Sequence, residues 1–167
     1  MANLDQPQGF RPKGPVLRIT EYVAGAEIFA GDLVHLEDDG KVDPAAASEA
    51  VCGVALHYAS GDGVKVLVSD HPDQRYIVQG DDAGSSDAGA QTGVGLNFPI
   101  VAAAGSSTYK CSRQELDASE GAVTAALPLR LLAVEPSSGN AFGANADLIV
   151  QINNNQLSNG NVGSDGL

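Results

Sequence analysis

Val51-Cys52-Gly53-Val54-Ala55-Leu56 leads through Ser60-Gly61-Asp62-Gly63 into Val64-Lys65-Val66-Leu67-Val68. The first run is apolar, bounded by turn residues and too short for a buried helix; the last is rich in valine, which suits a pleated, half-buried surface. The two glycines between them supply the positive φ angles of a tight turn. Strand, turn and strand are therefore expected, with Val51 to Tyr58 as the first strand. The same unit recurs upstream. Leu17 to Val23 alternates with period two, Ala24-Gly25-Ala26 turns, and Gly31-Asp32 separates Ile28-Phe29 from Leu33-Val34-His35-Leu36. Asp38-Asp39-Gly40-Lys41 is a hairpin signal closed by Val42-Asp43-Pro44, and Ala45 to Ala50 reads as one short helical turn. Downstream, Arg75 to Gln79, Gly95 to Val101, Leu127 to Val134 and Asp147 to Asn153 read as strands. Ser112 to Asp117, with Leu116 as its one large apolar residue, reads as a connecting segment.

No stretch keeps helical periodicity over three turns, and short strands recur every 8–12 residues. With 167 residues, 20 Gly and 24 Ala, the chain is expected to be one all-β domain. The expected form is a small Gly/Ala/Val-rich β-barrel or β-sandwich. Its parts are an extended N-terminal arm over 1–18, a body over 19–157 and a flexible tail over 158–167. Residues 80–95, whose start holds no apolar side chain larger than Ala, are expected to form a long exposed loop.

Charge divides along the same lines. The first eighteen residues hold Arg11, Lys13 and Arg18 against Asp5, for +2. The rest holds six basic and twenty acidic residues, for −14, and the whole carries −12. Such a body repels phosphate, so no nucleic-acid partner is expected. No window approaches 18 uninterrupted apolar residues, and the start lacks a basic segment followed by an apolar one. Neither a membrane span nor a signal peptide is expected. Cys52 and Cys111 match no zinc spacing, and Cys52 reads as a small buried hydrophobe.

Catalytic motifs are sparse. There is no Gly-x-Ser-x-Gly elbow, no Walker sequence and no dinucleotide fingerprint. His71-Pro72-Asp73 reads as a turn. Three scattered histidines make no ligand set by spacing. Glu37-Asp38-Asp39, Asp81-Asp82 and Asp117 to Glu120 lack the alternate-position acids of a calcium loop. The chain is expected to be a non-enzyme without a cofactor. A small hydrolase or lyase on a cupin-like barrel, using His35 or His57 with a metal, is a third class.

The order Val23-Ala24-Gly25-Ala26-Glu27-Ile28-Phe29-Ala30-Gly31-Asp32-Leu33-Val34, then Asp39-Gly40-Lys41-Val42-Asp43-Pro44-Ala45, Val51 to Leu56 and Gly61 to Val68 resembles the capsid decoration, or cement, proteins of tailed bacteriophages. The resemblance covers roughly residues 20–70. Ala126 to Leu132 and Asp147 to Asn154 are similar in flavour to marine phage virion proteins. The resemblance implies a virion structural protein, made in the host cytoplasm, that binds the outer capsid surface and ties neighbouring capsomers together. Its partners would be the major capsid protein and further copies of itself, often as a trimer. On this reading the arm is the grapple: Phe10 anchors it, Pro12 keeps it extended, and Arg11, Lys13 and Arg18 meet acidic capsid surface. The alternative is a virion fibre or adhesin whose 80–95 and 105–112 loops bind a host receptor or glycan.

Overall fold

The computed structural model describes residues 3–81 and 90–158. The chain is all-β. Its strands are β1 (Arg11–Pro12), β2 (Ile19–Val23), β3 (Leu33–Leu36), β4 (Val42–Pro44), β5 (Gly53–Ala55), β6 (Lys65–Ser69), β7 (Arg75–Gln79), β8 (Asn97–Phe98), β9 (Ile100–Val101), β10 (Glu115–Leu116), β11 (Leu129–Val134) and β12 (Asp147–Ile152). They form a five-stranded sheet in the order β1-β7-β12-β11-β8, a second in the order β2-β6-β5-β3-β4, and the separate pair β10-β9. Every strand pairing is antiparallel.

The second sheet curls on itself. Ala24, just past β2, bridges to Val42 at the start of β4, and Gly25 N–H donates to Val42 O at 3.0 Å. The two edge strands meet at that end only, so the sheet is barrel-like without a continuous closing ladder. Ala24, Ile28, Val34, Val42, Cys52, Ala55, Ala59, Val66 and Val68 fill the inside of the curl. The larger core lies between the two sheets and holds Phe10, Leu33, Val54, Tyr76, Phe98, Leu116, Leu129, Leu148 and Val150. On β3, Leu33 enters the larger core and Val34 the smaller; on β5, Val54 and Ala55 divide the same way. At Leu33-Val34 and Gly53-Val54-Ala55 these central strands are buried on both faces, and there the sequence is apolar; His35 and Leu36 lie at the half-buried end of β3.

Gly53 follows from this layering. A Cβ there would run into Ser69 O and come within 2.7 Å of Val68 Cγ1, so β6 lies close against β5 only because the side chain is absent. Tyr76 crosses the larger core and donates from its hydroxyl to Ser69 O at 2.8 Å, joining β7 to the second sheet. The Asp38–Lys41 hairpin forms as the sequence indicates, with Gly40 at φ 82°.

Several expectations are revised. The strand expected over Val51 to Tyr58 is regular only at Gly53–Ala55. Leu56 N–H still donates to Leu67 O at 2.8 Å, but then the His57 ring intervenes, its Nε2 accepting from Leu67 N–H at 3.1 Å. Ala45 to Ala50 forms a turn instead of a helical one: Glu49 N–H reaches Ala46 O at 3.5 Å, and Glu49 Oε2 accepts from Ala46 N–H at 2.8 Å. Of the loop expected over 80–95, residues 82–89 lie outside the described residues; Gln91–Gly93 makes a single 3₁₀ turn, and Gly95 N–H donates to Leu131 O at 2.9 Å. The tail expected over 158–167 lies outside the described residues beyond Ser158.

The largest revision concerns residues 1–18. The described part of this segment is drawn into the body. Phe10 is only 1% exposed and sits in the larger core. Arg11 and Pro12 pair with Ile77 and Tyr76, making β1 an edge of the first sheet. Phe10 N–H donates to Gly31 O at 2.8 Å, so the same stretch also touches the second sheet's turn. Closer to the start, Gln79 Nε2 donates to Leu4 O at 2.6 Å, Gln79 Oε1 accepts from Gln6 N–H at 3.0 Å, and Asn3 Nδ2 donates to Ala141 O and Ala144 O. Prolines deny this segment a long ladder, and side-chain amides satisfy its backbone instead.

Two substitutions test this packing. Phe10→Ala is expected to cost about 3–5 kcal/mol in urea unfolding, the range for emptying an aromatic core site. A detached arm would lose almost nothing, so a change near zero would refute the burial. Gly53→Ala is expected to lower the melting temperature by more than about 5 °C, since the clash is with backbone.

Candidate interaction surfaces

The five residues assigned to the arm fall into different environments. Phe10 is committed to the core and presents nothing to a partner. Pro12 lies in β1. The three cations meet acids of this same chain. Arg18 Nε donates to Asp70 Oδ1 at 2.7 Å and its Nη2 to Asp70 O at 2.8 Å. Lys13 Nζ lies 2.6 Å from Glu135 Oε2, and Arg11 Nη2 lies 3.5 Å from Asp147 Oδ1. The basic segment is therefore the counter-charge of its own acidic body.

Of the three pairs, Arg18–Asp70 is the most embedded. Asp70 is 2% exposed and also accepts from Tyr22 Oη at 3.0 Å. The hydrogen bond to Asp70 holds the Arg18 guanidinium above its ordinary pKa, with burial opposing. Burial, then the Asp70 charge, pushes the neighbouring Tyr22 hydroxyl up as well. Cys52, inside the curl, has its thiol pushed up to about 12 by burial first and Asp70 second, which leaves it an unreactive hydrophobe. Cys52 and Cys111 are both free thiols.

The histidines do not share a site. His35 Nε2 lies 2.7 Å from Glu37 Oε1 and its Nδ1 3.3 Å from Glu49 Oε2. The His57 ring is occupied by backbone, with Nδ1 3.0 Å from Tyr58 O. His71 closes the turn between β6 and β7, its Nδ1 accepting from Asp73 N–H at 3.1 Å. Among the described residues, no three His, Cys, Asp or Glu side chains converge in a way that could hold a metal ion.

Two surfaces stand out instead. The first is the outer face of β2 and β6. Where β3 and β5 turn their outer face to the first sheet, β2 and β6 turn theirs to solvent. Ile19 (51% exposed), Val23 and Leu67 lie there, and the approach to it carries Val16, Leu17 and Val64, all exposed. A single ion pair, Lys65 Nζ to Glu21 Oε1 at 2.7 Å, sits among them. This face is apolar and net neutral on a chain of −12. Exposed apolar side chains gathered on one sheet face are a common mark of an interaction surface. The period-two pattern of Leu17 to Val23 showed that one face of β2 would be apolar, but not which side the first sheet would cover.

The second surface is an open groove of about 880 Å³ beside residues 5–8, walled by Asp5, Gln6, Gln8, Arg11, Tyr109 and Arg113. Tyr109 comes from the 105–112 loop of the adhesin alternative, whereas Arg113 lies at the start of the segment expected to be a plain connector. Ser112, Gln114 and Leu116 are in fact buried, and Gln114 Oε1 accepts from Leu33 N–H at 2.7 Å. The alternation of buried and outward residues over 112–116 leaves Arg113 exposed. Polar buried residues hid this period from a hydrophobicity count.

Near the groove, Glu115 of β10 has its carboxyl raised to about 7, by burial first and then by the charges of Asp5 and Asp81. A carboxyl whose folded value exceeds its ordinary 4.5 keeps its proton longer in the folded state. Its contribution is therefore present at low pH and lost as pH rises from about 4.5 to about 7. Glu115→Gln is expected to be more stable than the parent at about pH 8, with a smaller gap at about pH 5. Thermal unfolding at both values checks this, and a gap independent of pH would contradict the assignment.

No family model, curated protein or solved structure matches this chain.

Proposed function

We propose that this chain is a non-enzymatic virion structural protein that decorates the outer surface of a phage capsid and stabilises it by bridging neighbouring capsomers. The observation that carries the reading is the neutral apolar face of β2 and β6. The stretch over 20–70 that resembles decoration proteins builds β3 to β6 and most of β2, so the second sheet and, apart from Ile19, the exposed face of β2 and β6 come from those residues. Adhesion at a lattice needs contact area repeated by symmetry, and several modest contacts on one oligomer bind far more tightly than one.

The face is assigned to a second copy of the chain, in a small oligomer for which the resemblance implies three copies. Elsewhere a −12 molecule repels its own kind. On this face Glu21 and Lys65 cancel, and each can meet the opposite charge on a neighbour while Ile19, Val23 and Leu67 lose water. The oligomer then meets the major capsid protein as a unit. Removal of residues 2–15 is a poor test of adhesion, because it strips Phe10 from the core.

Analytical ultracentrifugation of the parent is expected to show an oligomer. Ile19→Asp and Leu67→Asp should each give a folded monomer with an unchanged circular dichroism spectrum, since both side chains already face water. A parent monomeric at about 100 μM, weaker than any contact worth repeating, would remove the assignment of this face. Copy number in purified particles tests the wider reading: a decoration protein is present on the order of hundreds of copies, as repeated lattice contacts require. A second reading, a virion fibre or adhesin present in far fewer copies, is favoured by the groove at Tyr109 and Arg113.

A further inference from the structure

We infer that the groove between residues 5–8 and the Ser106–Cys111 hairpin is a binding site for acidic carbohydrate, a sugar chain carrying carboxylates. The hairpin is held for display. Ser106 N–H donates to Cys111 O and Lys110 N–H to Ser106 O, both at 2.8 Å, closing a tight turn. Lys110 sits at its tip with φ 55°, a left-handed conformation uncommon outside glycine. Its side chain is pinned: Nζ lies 4.4 Å from the Tyr58 ring centroid, and Tyr58 Oη in turn donates to Glu27 Oε1 at 2.5 Å. The neighbouring Gly105 packs flat on Phe29, where any Cβ would collide with the ring. Backbone strain and a cation–π contact thus fix a loop whose exposed product is the Tyr109 ring, 78% accessible.

The groove's chemistry points to sugar. The electron-rich face of an exposed tyrosine suits the polarised C–H face of a pyranose. Gln6 and Gln8 have no hydrogen-bond partner for their side-chain amides among the described residues, and an amide both donates and accepts, as paired hydroxyls require. Arg113 has no ion-pair partner among the described residues, and Arg11 is held only loosely at 3.5 Å from Asp147. Two guanidinium groups on an acidic chain supply forked donors for carboxylate. Asp5 favours a sugar over an acidic peptide, because its carboxylate accepts hydrogen bonds from sugar hydroxyls, which Asp and Glu side chains lack.

This gives the second reading its ligand and is independent of the capsid assignment, because no residue of the groove lies on the β2–β6 face. The test uses the full isolated chain, so its failure leaves the copy-number measurement untouched. Titration calorimetry with tetragalacturonate and with 3′-sialyllactose is expected to show binding to at least one. Tyr109→Ala and Arg113→Ala should each weaken it by about tenfold or more, and Arg113→Lys should recover only part, since lysine keeps the charge but not the fork. Neutral cellotetraose and tetraglutamate should bind at least about tenfold more weakly than the acidic sugar. No binding of either acidic sugar at about 10 mM would overturn the inference. So would equal binding of tetraglutamate or of cellotetraose, or unchanged affinity in Tyr109→Ala. All three substitutions alter exposed side chains, and circular dichroism confirms that each variant is folded.

Discussion

Two cores share one wall. The central strands β3 and β5 carry apolar side chains on both faces, so Leu33 and Val54 belong to one core while Val34 and Ala55 belong to the other. Most of the architecture follows from that constraint. Where both faces are buried, at Leu33-Val34 and Gly53-Ala55, neither set holds a polar residue, and the neighbouring strands must lie close. Gly53 permits that closeness, because any side chain there would strike the β6 backbone. A register slip of one residue would exchange the two cores' contents, and the cores differ in size, so the register is strongly specified.

The turn at Gly31-Asp32 is where the remaining segments are tied to this wall. Gly31 O accepts from Phe10 N–H, Gly31 N–H donates to Ala55 O, and Ala30 O accepts from Ser112 N–H, each at 2.8 Å. Asp32 is buried, which pushes its carboxyl up, while Ser112 and the Phe29 N–H hydrogen-bond to it and pull it down. Gly9, at φ 68°, passes so close to Ser112 and Gly31 O that no other residue fits. Three chain segments far apart in sequence meet here through backbone groups. The start of the chain is thereby structural: its hydrophobe fills the core, its cations neutralise Asp70, Glu135 and Asp147, and its backbone extends the first sheet.

With residues 3–18 committed to the body, the surfaces open to partners are those that the two-core arrangement leaves uncovered. The first sheet covers only the β3–β5 side of the curl, so β2 and β6 keep an apolar face in water. On another side, the Ser106–Cys111 hairpin and the segment between it and β10 carry Tyr109 and Arg113 outward next to residues 5–8. Contact area without chemistry suits a role in a symmetric lattice, and a polar aromatic groove suits recognition of a ligand. The two surfaces do not overlap, so the two proposed roles are compatible in one chain.

The sequence by itself determined the strands and turns whose signals are local. Alternation marked β2, Asp38-Asp39-Gly40-Lys41 marked a hairpin, and the apolar run around Gly53 marked a strand, though not that both its faces would be buried. It also determined that no long helix forms, because nothing repeats at the helical period. The segment leading into β10 was not legible, since Ser112 and Gln114 are buried by hydrogen bonds that a hydrophobic pattern does not register. The fate of residues 3–18 was not legible either. Prolines, glycines and a cluster of cations look the same in a free arm as in a segment stitched to a body. Only the tertiary structure decided between them, because the partners of Phe10, Lys13 and Arg18 lie more than fifty residues away along the chain, at Tyr76, Glu135 and Asp70, and charge and hydrophobicity counts carry no information about distance in space.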